Sequence, residues 1–176
     1  MHARVAYGWL PPLAAILTVL AVSHMTAPRS LAADPGAELA VLVGVFDVGR
    51  GSSGAEGGVE IRYPTPVADL CYVAGSAAND EGSFWVYGGA RYELEVASEW
   101  MLVPGFAVSL YEEGGGKDLG GLVEFRSSLE LRHRVSERLK VGLVAYHLSN
   151  AGIYDRNPGS NSLVLSFAFR PERRLD

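Results

Sequence analysis

Thiols are nearly absent. Cys71 is the single cysteine, which excludes an internal disulfide framework and any cysteine-built zinc site. Basic charge is scarce as well: 15 Lys and Arg stand against 20 Asp and Glu, a formal net charge of −5. A nucleic-acid binder needs a basic face, and this balance argues against one. Only four histidines occur. Beyond residue 33 there are just His133 and His147, with no spacing that suggests a metal cluster, and no cofactor is expected. Sustained helical periodicity is missing after Asp34, where no segment holds it for more than about two turns. A spanning apolar helix is missing too, because the stretch at 9–22 is short and broken by Pro11 and Pro12. The 21 Gly and 9 Pro punctuate apolar runs and form no low-complexity tract, so disorder is not expected.

What is present begins with an N-terminal segment unlike the rest. Residues 1–33 carry Arg4 and Arg29 and no acid. Positive charge, then the apolar stretch, then small residues around Ser30-Leu31-Ala32-Ala33 is the order of a secretory signal. Cleavage after Ala32 or Ala33 is expected, with a mature domain at 34–176. In a Gram-negative host that domain lies beyond the inner membrane.

The mature part alternates apolar and polar residues, the period of half-buried strands. Eight strands are expected, at 38–48, 57–63, 70–79, 83–96, 99–111, 120–134, 138–150 and 161–170. Most are near the roughly 9–11 residues that a tilted membrane-spanning strand needs. In the sixth, Val123, Phe125, Leu129 and Leu131 share one face. Glu124, Arg126, Ser128, Glu130 and Arg132 share the other. Leu139, Val141, Leu143 and Ala145 line one face of the seventh, and Leu163, Leu165, Phe167 and Phe169 one face of the eighth. Acids and arginines on a single face suit a charge-paired interior, with the apolar face against lipid. That pattern, and the closure that removes every sheet edge, belongs to a small outer-membrane barrel. A lipocalin-like barrel or a sandwich is the alternative fold. Long linkers at 49–56, 112–119 and 151–160 alternate with short ones at 64–69, 97–98 and 135–137. Only the link near Asp80 departs from the rule of short periplasmic turns and longer outer loops. With periplasmic termini, the seventh strand ends at the outer leaflet.

At that place runs Tyr146-His147-Leu148-Ser149-Asn150-Ala151-Gly152, then Asn157-Pro158-Gly159-Ser160-Asn161. His147 and Ser149 are two apart, hence on one face, and by parity with Leu143 it is the lipid face. Asn161 shares its parity with Leu163 and Leu165. Polar groups meeting there are costly in lipid unless functional. A His beside a Ser is a general base for the hydroxyl, and the Asn150 amide is a candidate oxyanion donor. For a bare His-x-Ser, polar strand ends and ordinary turn chemistry are the plainer account.

The run His-x-Ser-Asn-Ala-Gly followed by Asn-Pro-Gly resembles the lipid A 3-O-deacylases, the PagL family of acyloxyacyl hydrolase-like outer-membrane proteins. Val45-Phe46-Asp47-Val48, Glu60-Ile61-Arg62-Tyr63, Gly116-Lys117-Asp118-Leu119-Gly120 and Glu124-Phe125-Arg126 support the resemblance. It implies an all-β, eight-stranded antiparallel outer-membrane β-barrel. It further implies an esterase that hydrolyses the 3-O-linked acyl chain of lipid A in the outer leaflet. His147 is then the base, Ser149 the nucleophile and Asn150 an oxyanion contributor, while Asn157 matches a loop Asn of the motif. One departure matters: the family's orienting Glu falls at Asn161 here. Asp155 is a substitute acid to consider. A weak enzyme, one with shifted geometry, and a catalytically silent barrel with an envelope role all stay open. A soluble periplasmic barrel binding a hydrophobic ligand is a third reading.

Other conspicuous features read as structure. The Gly-rich stretch before Lys117 lacks the spacing and the Ser or Thr of a phosphate loop and reads as an external loop. Glu124, Arg126, Glu130 and Arg132 read as an interior ion-pair network, and Tyr92 and Trp100 as an aromatic girdle. The residues after Phe169 are an unusual tail for a barrel.

Overall fold

Alternating residues give each strand one apolar and one polar face, and sheet closure decides which face is enclosed. The computed structural model describes residues 36–49 and 53–171. The expected signal at 1–33 and the end of the tail lie outside the described residues. Nine strand segments follow in order: β1 (Glu38–Phe46), β2 (Gly54–Pro64), β3 (Leu70–Asn79), β4 (Phe84–Tyr92), β5 (Leu94–Ala97), β6 (Trp100–Glu112), β7 (Val123–Arg134), β8 (Leu139–Ser149) and β9 (Ser160–Phe169). All neighbours pair antiparallel, β1 pairs with both β2 and β9, and β4 pairs with β6. The sheet therefore closes. β4 and β5 are two segments of the fourth barrel strand, interrupted at Glu93, and both pair with β6, so the barrel has eight strands. Two boundaries differ by three residues from the sequence expectation, and the others by two or fewer. β2 begins three residues earlier, at Gly54, because Gly54 and Ala55 complete the ladder opposite Phe46 and Val45. Residues 120–122 stay out of β7, because Gly120 takes a left-handed φ of 97°.

The apolar faces point outward. Leu143 and Leu165 are 46% and 45% exposed, whereas Glu130 and Arg132 are 0% exposed. This is the inside-out polarity of a barrel in lipid. Tyr63, Tyr72, Trp100 and Phe169 are exposed near the end that carries the short turns, where an aromatic girdle meets the membrane interface.

An eight-stranded barrel encloses just enough room for side chains to fill, so most of the interior charges pair with one another, Glu124 being buried without an ion pair among the described residues. Glu60 meets Arg62 at 2.8 Å and Arg91 at 3.4 Å. Glu130 meets Arg132 at 2.9 Å, Arg91 at 3.2 Å and Arg62 at 3.6 Å. The Arg126 guanidinium lies between the rings of Tyr87 and Tyr146, 4.7 and 4.1 Å from their centroids. Toward the long-loop end the filling becomes aromatic, with Phe46, Trp85 and Tyr111 in mutual contact. Above them Lys117 Nζ donates to both carboxylate oxygens of buried Asp47 at 2.7 Å, tying two loops together.

Glu130 holds three guanidiniums, so Glu130→Gln leaves buried positive charge uncompensated. Breaking a buried pair from one side costs about 3–5 kcal/mol. The variant is expected to unfold at lower urea concentration, read from heat-modifiable gel migration. An unchanged midpoint would show that Glu130 contributes little to holding the network.

Candidate active site

The β8–β9 register sets His147 directly opposite Asn161. Residues paired in this way have Cβ atoms roughly 4.5–5.5 Å apart, within reach of a side-chain bond. Asn161 Oδ1 indeed lies 2.8 Å from His147 Nδ1. An amide oxygen only accepts, so Nδ1 is the donor in this contact, and the neutral tautomer that matches it has its lone pair on Nε2. Asn161 is exposed, and His147 and Ser149 are half-buried, all on the outward face. The three groups that parity placed together are thus on one patch at the long-loop end of the barrel.

Gly159 fixes where Nε2 points. The β8–β9 pairing ends at Leu148 opposite Ser160, and Gly159 is the residue just before β9. A Cβ on Gly159 would lie 2.9 Å from His147 Cε1 and 3.3 Å from Nε2. The Cε1–Nε2 edge of the ring is therefore turned toward the Gly159 backbone. Gly159 also has φ +61°, a conformation that side chains rarely take. In the sequence this residue looks like an ordinary turn glycine after Pro158.

Asn150 faces the other way. It is 0% exposed, and its side-chain NH₂ donates to the carbonyls of Leu119 at 3.0 Å and Arg156 at 2.8 Å. Its Oδ1 accepts the Gly152 N–H, at 3.0 Å. Both amide protons are thus committed, and Asn150 links the loop after β6 to the loop after β8. Asn157 is exposed, and its Oδ1 accepts the Asn150 backbone N–H at 3.1 Å. That contact orients the amide and leaves its NH₂ to donate elsewhere. Arg156 pairs with Asp118 at 2.8 Å, and Tyr154 lies against Gly121 while its hydroxyl accepts the Val123 N–H at 3.2 Å. The loop carrying Asn157 is anchored at several points. Asp155 is exposed in this loop, and the Nδ1 position that a substitute acid would need is occupied by Asn161.

Register adds one neighbour that parity within a single strand could not reveal. Ser127 on β7 is opposite His147 on the side away from Asn161, and Phe125 is opposite Ser149. Among the described residues no group of three or more His, Cys, Asp or Glu is arranged to hold a metal ion.

A family model described as Lipid A 3-O-deacylase (PagL) matches residues 72–170, more than half of the chain. No curated protein gives a significant match. Among solved structures, one described as the outer membrane enzyme PagL aligns with a TM-score of 0.61 and 20% identity, over 77% of this chain and 99% of that one. Neisserial surface protein A aligns with a TM-score of 0.57 and 12% identity, over 77% and 96%. A de novo designed transmembrane β-barrel aligns with a TM-score of 0.56 and 11% identity, over 78% and 96%. At these identities the structures establish the fold alone: a closed eight-stranded antiparallel β-barrel.

Proposed function

The chain belongs to the lipid A 3-O-deacylase (PagL) family, and from that premise we propose that it is an outer-membrane esterase acting on the 3-O-linked acyl chain of lipid A. The observation that carries the reading is the His147–Asn161 contact on the lipid-facing rim, with Ser149 two residues further along the same outward face of β8. A lipid in the outer leaflet meets this patch from the side, without entering the filled interior.

In the proposed reaction Ser149 Oγ attacks the ester carbonyl and His147 Nε2 takes its proton. The carbonyl oxygen becomes an oxyanion, and the Asn157 NH₂ is the donor we assign to it. Asn150, with both amide protons already donated, serves instead to hold the Asn157 loop. As the tetrahedral intermediate collapses, the bond to the sugar oxygen breaks and His147 returns the proton to that oxygen. Water, deprotonated by His147, then releases the fatty acid from Ser149. The testing experiment is lipid A mass spectrometry from cells expressing the chain or its Ser149→Ala variant. Asn161, standing where the family has its acid, favours a second reading, a silent barrel with an envelope role; matching spectra would select it.

Gly159 supplies a separate prediction. Gly159→Ala places a methyl against the ring and strains the backbone, so deacylation is expected to fall about 10- to 100-fold, the scale of a misplaced catalytic group. Heat-modifiable migration should stay normal. Full activity in that variant would mean the ring does not need its present position.

A further inference from the structure

We propose that Ser127 is a specificity-determining residue, whose hydroxyl reads an oxygen on the acyl chain two carbons beyond the ester carbonyl. This rests on the esterase reading above. On β6 to β9 the outward side chains are apolar from Phe106 and Val108 through Leu129, Leu131, Leu143 and Leu163, with a few exceptions. Besides Glu112 and His133, those exceptions are Ser127, His147, Ser149 and Asn161. Three of them have a role in the proposed reaction. Ser127 has none, yet it is exposed and opposite His147. Its hydroxyl makes no hydrogen bond among the described residues. A hydroxyl facing hydrocarbon is unfavourable unless a partner arrives with the ligand.

The register sets the distance at which that partner must lie. Ser149 is opposite Phe125, so Ser127 is two residues along and one strand across from the nucleophile, about 8 Å away. A carbonyl carbon ready for attack is roughly 3 Å from Ser149 Oγ. A hydrogen bond to Ser127 takes about 2.8 Å. The remaining gap, on the order of 2–3 Å, is the reach of an oxygen carried on the β-carbon of the acyl chain. The direction agrees. From the rim toward the membrane centre the chain passes His147 and then exposed Ala145, whose small side chain lies between Leu129 and Leu163. On the other flank Phe106, opposite Ser127, stacks on Phe125 at 5.8 Å. The hydroxyl is thus a lone polar contact beside an apolar track, and it does not compete for Nε2, which is turned toward Gly159. The chemical class selected is a 3-hydroxyacyl ester over an unsubstituted acyl ester.

The test compares the purified full chain on two esters in detergent, p-nitrophenyl 3-hydroxydodecanoate and p-nitrophenyl dodecanoate. The unaltered chain is expected to prefer the hydroxylated ester by roughly tenfold in kcat/KM, the scale of one hydrogen bond. Ser127→Ala should bring the ratio close to one. Ser76→Ala, which alters an outward serine on β3 paired with Val59 and Val86, should keep it. A ratio near one in the unaltered chain, or one that survives Ser127→Ala, overturns the proposal. A folding defect lowers both rates and leaves the ratio unmoved. Should neither ester be hydrolysed faster than by Ser149→Ala, the esterase reading fails, and native mass spectrometry decides the Ser127 role on its own. Retention of 3-hydroxydodecanoate over dodecanoate, lost in Ser127→Ala, supports it; equal retention overturns it.

Discussion

Cells making the Ser149→Ala variant are expected to keep the acyl set of their lipid A, while cells making the unaltered chain show a species lighter by one acyl chain. The expectation follows from the division of labour at the rim. Ser149 supplies the atom that bonds to the acyl carbon, and His147 only moves its proton. Loss of the nucleophile in a Ser-His site costs about 10⁶ in kcat, enough to empty the product peak entirely. His147→Ala should give the same spectrum, and the double variant should be no worse, because residues acting as one unit are not additive. The barrel itself should tolerate Ser149→Ala. The side chain is half-buried on the outward face, away from the interior ion pairs. Normal heat-modifiable migration of the variant, beside identical spectra from both strains, would leave deacylation through Ser149 without support.

Much of this arrangement was readable from period-two patterning. Glu124, Arg126, Glu130 and Arg132 alternate with Phe125, Leu129 and Leu131, and the first set is buried while Leu129 and Leu131 are exposed. The same parity put His147, Ser149 and Asn161 on the lipid side. Parity works here because strands with one enclosed face cannot slip by a single residue. It fails where the chain leaves the pleat. Asn150 is the last residue before the turn, and only the folded loop shows its amide spent on Leu119 and Arg156. Gly159 has no side chain to carry a pattern, and its contact with the ring arises from the approach of β9. Ser127 looked like one more strand residue until the β7–β8 register set it beside His147. The break at Glu93 was hidden too, because the fourth strand keeps its alternation on both sides of it.

Asn161→Asp and Asn161→Glu are each expected to raise deacylation, by about 10²-fold or more, and the reason lies in what an amide lacks. As it stands, Asn161 Oδ1 faces Nδ1, which holds the useful tautomer. If the amide turns over, its NH₂ faces the ring instead, the proton moves to Nε2, and the base is lost. A carboxylate has no such wrong face. It also stabilises the imidazolium that forms when Ser149 gives up its proton, which a neutral amide does weakly. In serine proteases the acid-to-amide change lowers kcat about 10⁴-fold through the wrong tautomer. Asn161 begins from the right one, so the recoverable factor is smaller. Asp fits the present 2.8 Å spacing directly, and Glu must fold one extra methylene. The amount of folded barrel, read from heat-modifiable migration, separates a catalytic gain from better folding. If neither variant gains, the orienting group for His147 is not the residue at 161.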